Sequence, residues 1–218
     1  MWHTGGMEKN IYLIRHGQSE ENVDHVARGD RALLTEGGRA QAMTVAERVA
    51  RLEVTSLISS PFVRTFETAS VISARIGLPV EQSELFREWN GPSVYLGKHE
   101  DHPERAAARV AIMNKTDRDF RHSDEETFAE LHERANQALV FLEAREEDRI
   151  CVVTHFGFLQ MIAAVVLFGD RVEPWMTSSM FYRLRHRNTG ITNIKLSLDK
   201  EGKPFWQLIT WNDQTHLG

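Results

Sequence analysis

Two unbroken apolar runs, Ile11 to Ile14 and Ile150 to Val153, constrain this chain more than any other feature. Neither run alternates with polar residues, so each reads as a strand buried on both faces, the kind that fills the interior of a mainly parallel sheet covered by helices. Both stop abruptly at polar residues: Arg15-His16-Gly17 after the first, Thr154-His155 after the second. Arginine offers a planar fork of donors suited to phosphate, and histidine is a nucleophile or proton carrier near neutral pH. Glycine lets backbone amides approach an anion closely. In sheets of this class the ligand lies beyond the carboxyl ends of the strands, so both histidines are expected at one edge.

The segments between these strands alternate in type. Arg28 to Leu34 reads as a polar loop, after which Thr35 caps a helix with Ala42, Val45, Ala46, Val49 and Leu52 at helical spacing. Ser56 to Ser59 forms a short strand. Ser60 and Pro61 then open a helix to about Ile76, with Phe62, Phe66 and Ala69 facing inward, and Gly77 and Pro79 end it. Pro79 to Leu85 reads as a third strand. From residue 91 to 124 the pattern is irregular, with a helix near Glu104 to Met113, and predicts a lid-like insertion. Glu126 begins an amphipathic helix carrying Phe128, Leu131, Ala135, Ala138 and Leu142. The apolar helix Gly157 to Leu167 follows the second buried strand, and a loop surrounds Pro174. Ile191 to Leu198 and Phe205 to Trp211 alternate as strands joined by a turn at Lys200 to Lys203. Together these elements predict one domain, residues 1–218, built as a three-layer α/β/α sandwich with a mostly parallel central sheet.

Composition narrows the partners. With 218 residues, 26% charged residues and a net charge of -5, the chain presents no global basic surface for nucleic acid or a membrane. The apolar stretch Phe156 to Phe168 is interrupted by Gln160 and is too short to span a bilayer. The first residues, Met1 to Met7, lack the apolar core of a signal peptide. The single cysteine, Cys151, sits inside the second apolar run, which predicts small core filler and a reducing, cytoplasmic setting. His99 and His102 have helical spacing but no third ligand, so they predict a solvated lid rather than a metal site, and no cofactor is expected. Lys98, Arg105, Arg109, Lys115, Arg118 and Arg121 are interleaved with Glu100, Asp101, Glu104, Asp117 and Asp119, the composition of a solvated face.

Arg64 lies in the first turn of the helix after Ser59-Ser60-Pro61, facing the same sheet edge as Arg15, His16 and His155. Helix N-termini opening at Pro61 and Gly157 would add partial positive charge there. Two arginines to neutralise non-bridging oxygens and an imidazole to attack phosphorus suit phosphoryl transfer through a covalent intermediate.

Four ordered segments carry a resemblance: Arg15 to Asn22 (RHGQSEEN), residues 33–42 (LLTEGGRAQA), 59–69 (SSPFVRTFETA) and 152–157 (VVTHFG). On them the chain is identified as resembling the histidine phosphatase superfamily, the phosphoglycerate mutase-like group. That resemblance implies His16 as the phosphorylated nucleophile, with Arg15, Arg64 and His155 completing the phosphate pocket. It matches Asn22 to a phosphate-contacting asparagine, a residue that could equally cap a turn. The segment 85–91 (LFREWNG) is similar to the region carrying the family's carboxylic acid, which makes Glu88 the candidate general acid and then general base. After Glu88 the chain departs from the family pattern, running Trp89-Asn90-Gly91-Pro92. Glu126-Thr127 resembles a Glu-Ser pair of the family near the pocket, and Thr127 is also a good N-cap. The resemblance implies a metal-independent phosphomonoesterase acting on a phosphorylated small molecule. The alternatives are a phosphoglycerate mutase and a non-catalytic phospholigand-binding domain, because fold alone does not fix function.

Overall fold

The computed structural model describes residues 8–218; the reading of Met1 to Met7 falls outside them. Strands β1 (Lys9–Arg15), β2 (Ser56–Ser59), β3 (Val80–Gln82), β4 (Arg149–Thr154), β5 (Ile191–Leu198) and β6 (Pro204–Asp213) form one sheet in the order β3-β2-β4-β1-β5-β6. The first four of that order run parallel, and β5 and β6 close the far side as an antiparallel hairpin. Its turn is reversed by Gly202 at φ +81, a conformation that favours glycine. Among the described residues there are seven α-helices: α1 (Glu20–Asp24), α2 (Glu36–Ala50), α3 (Val63–Ile76), α4 (Pro103–Met113), α5 (Phe128–Glu143), α6 (Phe156–Phe168) and α7 (Pro174–Arg183). The chain is a three-layer α/β/α sandwich.

The pleat explains why the central strands do not alternate. Ile11 and Leu13 of β1, with Ile150 and Val152 of β4, pack into the cluster formed with Leu131, Ala135, Leu142, Phe158 and Ile162 of α5 and α6. Ile14, Cys151 and Val153 point the other way, onto Val45 and Val49 of α2 and Ala69 and Ile72 of α3. Each such side chain taken fully out of water contributes roughly 1.5–3 kcal/mol. Both strand faces are therefore apolar. Pairing of Ile14 with Val153 and of Arg15 with Thr154 brings the residues that follow, His16 and His155, side by side.

Several expectations need correction. The third strand spans only Val80–Gln82, because Glu84–Phe86 turns into a 3-10 helix capped by Ser83 and drives Phe86 into the core. Helix α3 begins at Val63 rather than Pro61, and Phe66 lies 41% exposed. Its inward face is Arg64, Thr65, Thr68, Ala69 and Ile72, since its first turns look onto the polar edge of the sheet and only its later turns reach the core. The helix expected from Glu126 starts two residues later, with Thr127 as N-cap and Glu130 completing a capping box. The loop around Pro174 is helix α7, with Pro174 in its first turn. The short helix α1 was not foreseen either.

Candidate active site

The ladder of the sheet continues past the end of β1. His16 N–H donates to the Thr154 carbonyl at 3.0 Å, and Gly17 N–H donates to Thr68 Oγ1 at 3.1 Å. His16 is 3% exposed, and its two ring nitrogens have different partners. Nδ1 lies 2.7 Å from the Gly17 carbonyl, which can only accept, so Nδ1 carries the proton. Arg64 Nε–H donates to Nε2 at 3.2 Å, so Nε2 carries the lone pair. Burial first, then the Arg64 and Arg15 charges, hold the His16 pKa well below its ordinary value and keep this tautomer neutral. Backbone and arginine together present Nε2 as a nucleophile.

Arg64 also donates from Nη1 to the Gly29 carbonyl at 2.6 Å and lies against the Phe62 ring, 5.2 Å from its centroid. Arg15 donates to the His186 carbonyl at 2.5 Å and lies over Phe156 at 5.3 Å. Among the described residues neither guanidinium forms an ion pair with a carboxylate. Burial is the main influence lowering both, Arg15 to about 10, and the charge of Glu88 raises both in opposition. Both remain cationic at neutral pH. His155 is fully buried with its ring centroid 5.3 Å from that of His16, and its Nε2 meets Ser60 Oγ at 2.8 Å. His155 Nδ1 and Arg15 Nε are buried without a hydrogen-bond partner. An unsatisfied buried polar atom costs about 1–3 kcal/mol. Two unpaired cations and orphaned polar nitrogens at one point could receive an oxyanion.

The segment 33–42 is what holds this loop in place. Thr35 Oγ1 caps α2 through the Gly38 amide and donates to Gln18 Oε1 at 2.8 Å, while Gln41 Oε1 accepts from Gln18 N–H at 2.9 Å. At Gly38 the backbones touch: a Cβ there would sit 1.9 Å from the Gln18 carbonyl oxygen. Only glycine allows this approach.

Glu88 reaches the same edge from irregular chain. Its Oε1 accepts from the Trp89 and Phe158 amides at 3.0 and 2.9 Å, and its Oε2 from the Gly157 amide at 3.1 Å. The carboxylate therefore sits on the N-terminus of α6, immediately after His155. Gly157 makes room for it, because a Cβ at that position would come 2.8 Å from Oε1. Asn22 is drawn in by another route. Its Oδ1 closes a capping box with Ser19 on α1 and accepts from Asn188 Nδ2 at 3.0 Å; Asn188 Nδ2 also donates to the His16 carbonyl at 3.0 Å. The capping reading has its contacts, and only the carboxamide nitrogen is left to offer an anion.

Arg15, His16, Arg64, His155 and Glu88 thus converge. The sequence reading missed Ser60 as a partner of His155, Asn188, His186, whose carbonyl takes Arg15, and Arg134, which underlies the Glu88 segment. For Arg134 a signal existed: it falls among Leu131, Ala135 and Ala138 on the buried face of α5, where an unpaired cation would be expensive. Asn188 and His186 gave none, being brought in by the loop before β5, whereas Ser60 follows β2 within the segment 59–69 and was read only as a helix cap. The remaining candidates are structural. Cys151 is buried, with its thiol pushed up to about 12 by desolvation. His99 pairs with Asp101, Arg105 donates to the His25 and Lys98 carbonyls, and Arg118 donates to the Val172 carbonyl and lies over Phe128. Among the described residues no group of three or more His, Cys, Asp or Glu side chains could hold a metal, and no helix is long and apolar enough to cross a membrane.

The buried histidines make an acid-side weakness. Burial is the first cause of the depressed values at His16, His155 and His186, the last pushed down to about 4. In the unfolded chain each titrates near about 6.5. Below that pH the unfolded state binds protons that the fold excludes, so stability is complete above it and falls as the pH drops towards 4. Thermal unfolding at pH 7.5 and pH 5 is expected to show a clearly lower midpoint at pH 5, before the surface carboxylates titrate; equal midpoints would contradict the assignment of neutral buried imidazoles.

Known proteins resemble this chain over most of its length. A family model described as the histidine phosphatase superfamily (branch 1) matches residues 11–214. A probable phosphoglycerate mutase of Citrobacter koseri is 31% identical over 211 residues, covering 95% of this chain and 94% of that protein. A second, from Escherichia fergusonii, is 30% identical over the same shares. Among solved structures, a mycobacterial glucosyl-3-phosphoglycerate phosphatase complexed with VO3 superposes with a TM-score of 0.78 at 23% identity, covering 94% of this chain and 100% of its own. Phosphoserine phosphatase of Entamoeba histolytica, as an alanine mutant complexed with phosphoserine, gives 0.75 at 23% identity, over 96% of this chain and 100% of its own. The structures share the fold.

Proposed function

The chain belongs to the histidine phosphatase superfamily, and on that footing we propose that it is a single-domain phosphomonoesterase that hydrolyses a phosphorylated small molecule through a phosphohistidine on His16. One observation carries the reading: Nε2 of a neutral His16 carries the lone pair and meets only the Arg64 Nε–H, at 3.2 Å, while Nδ1 is fixed on the Gly17 carbonyl. In the first step Nε2 attacks phosphorus and the P–O ester bond breaks. Arg15, Arg64 and His155 gather the charge on the non-bridging oxygens, and the Glu88 carboxyl group passes a proton to the departing alkoxide. In the second step the Glu88 carboxylate takes a proton from water, whose oxygen attacks phosphorus; the N–P bond breaks and inorganic phosphate leaves. The first step is rate-limited by the leaving group only when that group is a poor one. Glu88→Gln is therefore expected to cost roughly 10²–10⁴-fold on an alkyl phosphate and far less on p-nitrophenyl phosphate. Equal losses on the two esters would assign the acid elsewhere.

A second reading has specific support from the two curated relatives, which are named as probable phosphoglycerate mutases. A mutase would return the phosphoryl group to a sugar acid instead of water. We favour hydrolysis because the solved structures on which the chain superposes are named as phosphatases. Assays of phosphate release and of phosphoglycerate interconversion, with and without 2,3-bisphosphoglycerate, separate the two: interconversion faster than hydrolysis would establish the mutase.

A further inference from the structure

Between Arg87 and Pro92, around the candidate acid, the chain has neither strand nor helix. A carboxylate that must both give and take a proton needs its backbone fixed, and here the sheet does not supply the restraint. A buried arginine does. Arg134, 8% exposed on α5, donates from Nη1 to the Leu85 and Arg87 carbonyls at 3.0 and 2.8 Å and from Nη2 to the Glu88 carbonyl at 3.4 Å. The rest of its fork is taken by Glu126, Nε to Oε1 at 2.7 Å and Nη2 to Oε2 at 2.8 Å, a bidentate pair with both partners buried. The guanidinium lies over Phe158, 4.5 Å from the ring centroid, and Phe158 is the residue whose amide holds Glu88 Oε1.

Glu126 grips the same segment from its other end. Its carboxylate accepts from the Asn90 amide at 3.2 Å and from Arg87 Nη2 at 3.3 Å. Its backbone accepts from Trp89 Nε1 at 2.7 Å, and its own amide donates to the Asn90 carbonyl at 2.8 Å. Residues 85 to 90 are thus clamped on both sides by one ion pair. A pair so placed is a weak device for stability, since desolvating both charges offsets most of their attraction. Its geometry, with contacts concentrated on one irregular segment, points to positioning.

We propose that Arg134 and Glu126 are positioning residues for the acid–base function of Glu88, holding its backbone and, through Phe158, the helix terminus on which its carboxylate rests. The proposal builds on the reading of Glu88 as the proton donor. A lysine at 134 could keep the charge but not the planar fork that spans three carbonyls and a carboxylate.

The test compares Arg134→Met, Arg134→Lys and Glu126→Gln with Glu88→Gln and with the double variant Arg134→Met/Glu88→Gln. Each is assayed for kcat and KM on an alkyl phosphate and on p-nitrophenyl phosphate, with the pH profile of kcat. Arg134→Met is expected to lower kcat on the alkyl ester at least tenfold more than on the aryl ester, with little change in KM, and to shift the basic limb of the profile. It should cost nothing further once Glu88 is glutamine. Arg134→Lys should recover stability without recovering the alkyl activity. Losses equal on both esters, or additive with Glu88→Gln, would overturn the proposal and leave the pair a structural one. If Glu88→Gln itself shows no leaving-group dependence, it is the reading of the acid that fails. Should Arg134→Met not fold, Arg134→Lys and Glu126→Gln carry the same comparison.

Discussion

Alanine in place of His16 is expected to reduce hydrolysis of p-nitrophenyl phosphate by roughly four orders of magnitude or more, because removing a nucleophile leaves only binding and electrostatics to act. The neighbourhood offers no substitute. His155 is fully buried at the N-cap of α6, with Nε2 on Ser60 Oγ at 2.8 Å, and it lacks the backbone-carbonyl contact that fixes the tautomer of His16. The fold should survive the change: His16 is a neutral imidazole held by a backbone carbonyl and one arginine, and β1 is secured by its ladder to β4 and β5. Initial rates together with a thermal melt decide the matter. A folded variant within tenfold of the parent rate would remove His16 from the mechanism, and acid-labile phosphate trapped on the parent but absent from the variant would support it directly.

Gly38→Ala is expected to have the largest effect on the fold from the smallest change in mass. The new methyl would lie 1.9 Å from the Gln18 carbonyl oxygen and 2.9 Å from its carbon, with no flexible side chain to give way. Either α2 slides out or the Gly17-Gln18 turn is displaced. Overpacking of this kind costs about 3 kcal/mol, and for a chain of this size that lowers Tm by roughly 6–12 °C. Because Gly17 carries the carbonyl that fixes the His16 tautomer, activity measured well below the new Tm should fall as well. An unchanged melt would show that the two backbones can separate cheaply. Gly37→Ala is the control: its Cβ would lie 3.4 Å from the end of the Gln18 side chain, an accommodating neighbour.

How far each feature could be read in advance follows its physics. Arg15, His16, Arg64 and His155 were legible because each lies within a few residues of a strand end or helix start, and buried strands announce themselves as apolar runs. The sandwich followed from the same runs. The inward face of α3 was misread at Phe66, since its first turns point Arg64, Thr65 and Thr68 at the active site, where burial and polarity coincide. Helix α7 was invisible because Pro174 to Arg183 carries no apolar stripe; Trp175 and Tyr182 are 62% and 61% exposed. The third strand was overdrawn because three paired residues leave almost no pattern.

What the sequence determined by itself was therefore the frame: which strands are buried, and that they end in arginine and histidine at one edge of the sheet. Tertiary structure alone decided the protonation state and the support. The lone pair on His16 Nε2 depends on Arg64, 48 residues away in the chain, and the seat of Glu88 depends on Gly157, Phe158, Glu126 and Arg134. A strand end is specified locally by hydrophobic pattern, whereas a tautomer or a carboxylate's seat is set by single hydrogen bonds between distant segments, and these exist only once the sheet has brought the segments together.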